Sequence, residues 1–229
     1  MLSTRLSRHR IILDSPSKME KIKLDVPTLI LGAGIAASGK TTFFRELAKY
    51  VYDAFLIDKD TVKEAFLLKP AILPGFGTEP MLNYKLSGSA ISDSSVYYHK
   101  NVKLQSYRLL LELAKDNLAV GKHPILDAPY VKELRNGYLS EIIAPFFEGI
   151  TPRIKIIFCY APEEVIKQRM KERGMKRDQA KLVSEESWKT FLVEQPIMPP
   201  ELESIDHIKV DTTLPLEERL KTALDYLRE

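Results

Sequence analysis

The strongest constraint on this chain is local: Thr28-Leu29-Ile30-Leu31 leads through Gly32-Ala33 into Gly34-Ile35-Ala36-Ala37-Ser38-Gly39-Lys40-Thr41. A short apolar, β-rich run followed at once by a GxxxxGK[ST] string dictates a buried strand, a tight glycine turn and a helix start. Glycines let backbone N–H groups approach phosphate oxygens, and the helix N-terminus adds partial positive charge. Gly34, Ala36, Ala37, Ser38, Gly39, Lys40, Thr41 and Thr42 are therefore the candidate nucleotide-binding residues. Lys40 would reach the β- and γ-phosphates of ATP, and the Thr41 hydroxyl would ligate Mg2+. Gly32-Ala33-Gly34 also begins like a dinucleotide-binding fingerprint, with Ala37 for its third glycine and Asp53 at about the right distance for a ribose. That reading leaves Gly39-Lys40-Thr41 without a role.

Strand-like and helix-like segments alternate after the motif. Asp53 to Ile57, Pro124 to Leu126, Arg153 to Tyr160 and His207 to Val210 read as further strands. Helical spacing covers Thr42 to Tyr50, Thr61 to Leu68, about Ser94 to Val120, Val131 to Phe147, Pro162 to Arg173, Glu185 to Glu194 and Glu217 to Leu227. On the long helix Tyr98, Val102, Leu109, Leu113 and Ala114 share a face, and Gly121 would stop it. This alternation predicts an α/β fold, a doubly wound parallel sheet with helices on both faces. Lys69 to Asp93, rich in Pro, Gly and Ser, reads as a flap or substrate-side insertion spanning about 69–100.

In open α/β sheets, ligands gather at the carboxyl ends of the strands. Asp58-Lys59-Asp60 ends the second strand, and two carboxylates there could divide base and magnesium duties. They could equally cap the next helix, with Asp60 as the N-cap before Thr61. Asp127 ends the third strand, where a carboxylate holds magnesium through water. Ala128-Pro129-Tyr130 then turns the chain, and Arg135 on the next helix either clamps an anionic acceptor or is a solvated charge.

Ile166 to Arg177 carries Lys167, Arg169, Lys171, Arg173, Lys176 and Arg177 against Glu172 alone. Arg169 and Arg173 share a helix face, and Gly174 releases the chain toward Arg177. Mobile cations of this kind neutralise a transferring phosphoryl group and exclude water, so a lid over about 166–184 is expected. A solvated basic face gives the same composition. No aromatics interleave with these cations, which speaks against nucleic acid as the partner. His99, His123 and His207 have no metal-ligand spacing, and Cys159 lies in an apolar strand as a core residue. Of Tyr97, Tyr98 and Tyr107, packing residues by position, one could face an acceptor; Tyr98 and Tyr130 are the candidates.

Composition agrees with this reading without sharpening it. The 229 residues are 45% hydrophobic and 28% charged with a net charge of +3. That excludes wholesale disorder. No apolar run approaches the roughly 20 residues of a spanning helix. A single cysteine excludes an internal disulfide framework, so a reducing, cytoplasmic setting is expected. Residues 1–25 are basic and weakly periodic; Ile11-Ile12-Leu13 is too short for a secretory core, leaving a solvated extension, a packed arm or a transit-like segment. Residues 26–229 form the expected single domain.

Together these residues resemble small P-loop kinases of the nucleotide-kinase type, within which they are similar to the zeta-toxin and polynucleotide-kinase-like ATPases. The likeness rests on the phosphate loop, Asp60 with Lys63, Asp127, and the arginines from Arg169 to Arg177. Val210-Asp211-Thr212-Thr213 is similar to the last-strand segment that borders adenine in such kinases. The resemblance implies a three-layer P-loop NTPase sandwich with five parallel strands in the order 2-3-1-4-5 under a helical lid. It implies Asp60 as general base, Lys40, Arg169, Arg173 and Arg177 around the phosphoryl group, and Thr41, Asp58 and Asp127 about the magnesium. Thr212 would border the nucleotide, and Asp60, Lys63, Tyr98, Tyr130 and Arg135 would face a small-molecule or nucleotide acceptor. Relatives often carry arginine where this chain has Lys59 and Lys63, and lysine lacks the bidentate phosphate grip. A hydrolase or nucleotide switch, and a nucleotide-binding module without chemistry, are the alternatives.

Overall fold

The computed structural model describes residues 19–66 and 102–229. Five strands, β1 (Thr28–Ala33), β2 (Ala54–Asp58), β3 (His123–Asp127), β4 (Arg153–Tyr160) and β5 (Ile208–Asp211), form one parallel sheet in the order β2-β3-β1-β4-β5. β1 and β3 are buried along their whole length, as strands covered on both faces must be.

Alternation within the strands assigns the layers. Leu29, Leu31, Leu126, Ile156 and Phe158 face α3 (Leu104–Ala119), α4 (Val131–Arg135), α6 (Glu163–Arg173) and α8 (Glu185–Glu194), against Leu110, Ala114, Leu134, Ile166 and Trp188. The intervening Ile30, Ile125, Ile157 and Cys159 face α1 (Lys40–Leu47) and α9 (Leu216–Arg228) through Phe43, Phe44, Leu220 and Leu224. Each such leucine, isoleucine or phenylalanine stabilises the fold by about 1.5–3 kcal/mol. The sandwich is thus three layers, with the phosphate motif at the end of its central strand.

Two expectations are revised, and one alternative is selected. The buried face of α3 is Tyr107, Leu110, Leu111, Ala114 and Leu118, whereas Leu109 and Leu113 are exposed. Both sets keep helical spacing, and contact with the sheet selects the first. The helix expected over Val131 to Phe147 is broken: α4 ends at Arg135, Gly137 adopts φ 70, and a π-helical turn (Leu139–Ile143) precedes a short α5 (Ala144–Phe146). Of the N-terminal segment, the described part is a packed arm. Ile22 and Leu24 are buried, and Ile22 bridges Val51 in parallel. The flap of about 69–100, Tyr98 within it, and residues 1–18 lie outside the described residues.

α2 (Lys59–Phe66), α6 and α7 (Lys176–Leu182) surround the carboxyl edge of the sheet. Gly174, at φ 59, ends α6 and turns the chain into α7, as the sequence suggests. α7 packs on α8, whose first turn is capped by the Ser184 hydroxyl accepting from Ser187 N–H at 3.1 Å.

Candidate active site

Phosphate chemistry begins at Gly34. Its φ is 134, its N–H donates to the Pro129 carbonyl at 2.9 Å, and a Cβ there would lie 2.1 Å from the Cys159 carbonyl oxygen. Only glycine lets the chain leave β1 in this direction. Ala37 (φ 62) and Gly39 (φ 89) complete the turn into α1. Gly39 occupies the N-cap, no side chain caps the helix, and its first turn holds no acid. The orphan N–H groups of that turn, Lys40 to Thr42, together with the positive helix end therefore form an anion site that the protein leaves uncompensated.

Lys40 is buried and arches back across the loop, donating to the Ile35 carbonyl at 3.1 Å. The Thr41 hydroxyl donates to Asp127 Oδ2. Asp127 Oδ1 is buried without a hydrogen-bond partner among the described residues. Burial raises the Asp127 carboxyl, while Lys40 and the Thr41 hydroxyl pull it back down and Asp58 and Asp60 push it up. A buried carboxylate with one idle oxygen beside a hydroxyl is the hard-oxygen set that Mg2+ takes, with water and phosphate completing its shell. The residues thus fit the ion.

Asp58 stands opposite Asp127 in the β2–β3 register. Its two oxygens accept from Asp60 N–H at 2.9 Å and the Thr61 hydroxyl at 3.2 Å, so Asp58, not Asp60, caps α2. Asp60, freed from capping, accepts from Arg177 Nη2 at 2.7 Å and lies 3.7 Å from Lys63 Nζ. Burial would raise its carboxyl, but Arg177, helped by Lys63 and Lys59, overrides burial and holds it at about 2.

The other expected residues divide. Arg169 Nη1 donates to the Thr212 hydroxyl at 2.8 Å and its Nη2 to the Thr212 carbonyl at 3.2 Å; Nη1 also reaches the Ala37 carbonyl at 3.5 Å. The Thr212 hydroxyl donates to the Ser38 carbonyl at 2.6 Å, and Thr212 packs where Gly39 lacks a side chain. Thr212 is buried against the phosphate loop rather than turned outward to border a base.

Arg173 is bonded to Asp178, whose side chain is fully buried and also receives Lys181 at 3.2 Å. Arg173 thus ties the last turn of α6 to α7 through Asp178. Arg135 donates to Glu201 at 2.9 Å and to the Val193 carbonyl at 3.4 Å, tying α4 to the end of α8 and the 3-10 turn beyond it. It is a structural staple, not an acceptor clamp. Tyr130 is fully buried, stacked edge-on against Tyr107 at 5.5 Å and tilted against Tyr138 at 5.8 Å, so it packs the core instead of lining a surface site. Lys59, noted in the sequence as a departure from relatives, is buried beside Asp60 with its Nζ 5.4 Å from the Tyr107 ring centre. Sequence reasoning passed over Glu133, which pairs with Lys103 at 3.1 Å and which no local pattern marks.

A parallel sheet in this order, with a glycine–lysine phosphate loop after its central strand, defines the class: a P-loop protein with the nucleotide-kinase type of fold. The chain belongs to the AAA domain family, whose model matches residues 29–194. Among solved structures, a candidate kinase from Chloroflexus aurantiacus J-10-fl is similar at TM-score 0.61 and 19% identity, covering 88% of this chain and 98% of that one. A sugar kinase from Janibacter sp. HTCC2649 (TM-score 0.50, 18% identity, 88% and 94% covered) shares the fold. So does the tunicamycin resistance protein of Deinococcus radiodurans (TM-score 0.51, 13% identity, 87% and 94% covered). No curated protein matched the sequence. Among the described residues no helix is long and apolar enough to cross a membrane.

Proposed function

We propose that the protein is a kinase that uses ATP and Mg2+ to phosphorylate a hydroxyl group. The observation that carries this reading is the arrangement at the strand ends: an open α1 N-terminus and the Thr41–Asp127 pair, with Asp60 on the neighbouring strand-to-helix corner under Arg177. A hydrolase needs only to position water, whereas this edge sets a carboxylate restrained by an arginine where an acceptor hydroxyl would come.

The nucleotide's phosphates take the α1 N–H groups and Lys40. Thr41 and Asp127 hold the magnesium, which supplies charge neutralisation on the phosphate oxygens when bound. Asp60 accepts the proton of the acceptor hydroxyl, whose oxygen bonds the γ-phosphorus as the bond to the bridging oxygen breaks and ADP leaves. While Arg177 grips Asp60, that carboxyl is a weak base. Moving the guanidinium onto the transferring phosphoryl group releases Asp60 and stabilises the developing charge in one motion. Arg169, anchored on Thr212 and the phosphate loop, is the fixed arm about which the lid works.

The test is an acceptor screen with γ-labelled ATP over sugars, nucleosides, small alcohols and 5′-hydroxyl nucleic acid, with mass identification of the product. The sugar-kinase name of one fold relative makes sugars a necessary arm. A labelled phosphate ester, absent with Lys40→Ala, supports the reading; label released only as free phosphate across the screen contradicts it.

A further inference from the structure

A cavity of about 660 Å³ opens between the first half of α3 and the α4–π-turn segment. This is the size range of small-molecule sites. α3 runs back toward the start of β3, so its N-terminal half stands at the carboxyl edge of the sheet, where the phosphate loop also lies. Tyr107 lines the cavity and joins the two regions, because its ring also sits 5.4 Å from Lys59 Nζ, the residue beside Asp60.

The apolar part of the cavity lining is Leu104, Tyr107, Leu111, Tyr138, Ile142 and Phe146, and the rest is polar or charged. Leu104 is 64% exposed and Ile142 45% exposed, although both are large apolar residues beside the cavity. The charged groups around it are already matched. Lys103 pairs with Glu133 at 3.1 Å, Lys132 with Glu194 at 2.7 Å and Arg108 with Glu112 at 3.4 Å. Glu133 also acts on the Tyr107 hydroxyl, whose titration is pushed well up, first by burial and then by that carboxylate. The Tyr138 hydroxyl is buried and so closed to a ligand, whereas the amide of Asn136, which also lines the cavity, is exposed. A sugar or nucleoside bound here would leave most of its polar groups desolvated and unmatched, at a cost of about 1–3 kcal/mol for each. An ionic acceptor would have to break one of the three pairs.

Resting on the kinase reading, we infer that this cavity is the acceptor site and that its substrate class is an uncharged, largely apolar alcohol. The apolar body lies along Leu104, Leu111, Ile142 and Phe146, a single polar group meets the exposed Asn136 amide, and the reacting hydroxyl extends past Tyr107 toward Asp60. Transfer there forms the bond from that hydroxyl's oxygen to the γ-phosphorus and breaks the bridging P–O bond. ADP is the leaving group and the proton goes to Asp60.

The experiment uses 2-(2-naphthyl)ethanol as probe, with gluconate and adenosine as polar comparators, on the full chain. Binding is read first without nucleotide, by the probe's fluorescence. Saturable binding is expected that neither comparator displaces. Leu104→Trp and Ile142→Trp, both at exposed positions and so harmless to folding, should weaken it about tenfold by filling the cavity. Asn136→Ala should weaken it about fivefold, the loss of one hydrogen bond. With γ-labelled ATP the two tryptophan variants should raise KM for the probe and leave kcat within about twofold. Absence of saturable binding overturns the assignment. So does phosphorylation of gluconate or adenosine with a KM that ignores both tryptophans, an outcome that keeps the kinase reading. Tryptophan-sensitive probe binding with no label passing to any alcohol supports the cavity and contradicts the kinase reading.

Discussion

Arg177 Nη2 lies 2.7 Å from Asp60 Oδ2, so the lid is latched onto the carboxylate best placed to act as a base. The contact joins α7 to the first turn of α2, two elements far apart in the chain. Under the proposed mechanism this contact sets an order of events, in which Asp60 acts as a base only after the Arg177 guanidinium leaves it.

Removing the cation should expose the other influence on this carboxyl. In Arg177→Ala, burial opposes ionisation with only Lys63 and Lys59 to counter it, so the Asp60 pKa should climb from about 2. Carboxylate NMR titration measures this directly. Turnover should fall about a hundredfold or more, because the transferring group loses its lid donor.

The same pair sets an acid dependence of stability. The folded carboxyl of Asp60 lies below its ordinary value of 3.8, so its contribution is complete above about pH 4 and is lost as pH falls toward about 2. The stability difference between wild type and Asp60→Asn should therefore shrink over that window, as followed by denaturant unfolding. A difference constant from pH 5 to pH 2 would contradict the latch.

Asp127→Asn should raise the Mg2+ concentration for half-maximal activity by about ten- to a hundredfold, since it neutralises the carboxylate beside the Thr41 hydroxyl. Thr41→Ala should do the same by removing the other oxygen. Magnesium titration of the rate separates this from a folding defect, because high metal restores activity only in the first case.

Thr212→Val keeps the shape of the side chain and deletes the hydroxyl that joins Ser38 to Arg169. Leaving those groups unmatched should cost about 1–3 kcal/mol. Nucleotide affinity should weaken, while kcat at saturating nucleotide is largely kept. Arg135→Ala, by contrast, should leave kcat/KM within about twofold and change stability by less than about 1 kcal/mol, as expected for a partly exposed ion pair.

These predictions separate what the sequence carries from what only folding brings together. The phosphate loop, the five strands and the positions of Asp127 and Asp60 are legible because each is a local pattern: apolar runs, a glycine turn, an acid at a strand end. Thr212 is not, because its partner Ser38 is 174 positions away, and neither is Arg135, paired with Glu201 66 positions on. Asp58 and Asp60 differ by two residues, and propensity alone cannot say which of them caps α2. The geometry chooses Asp58, since the helix begins at Lys59, two residues earlier than Asp60 as a cap would require. Gly137 interrupts a segment whose apolar spacing reads as continuous helix, because a left-handed residue there outweighs periodicity.

The most direct measurement follows label from γ-labelled ATP into product for wild type and Asp60→Asn, with ATP affinity measured on both. The expected result is one phosphate ester formed per ADP by wild type and equal ATP affinity in the variant, with transfer reduced about a hundredfold or more. Transfer by Asp60→Asn at the wild-type rate would contradict the central claim that this carboxylate, once Arg177 leaves it, activates the acceptor.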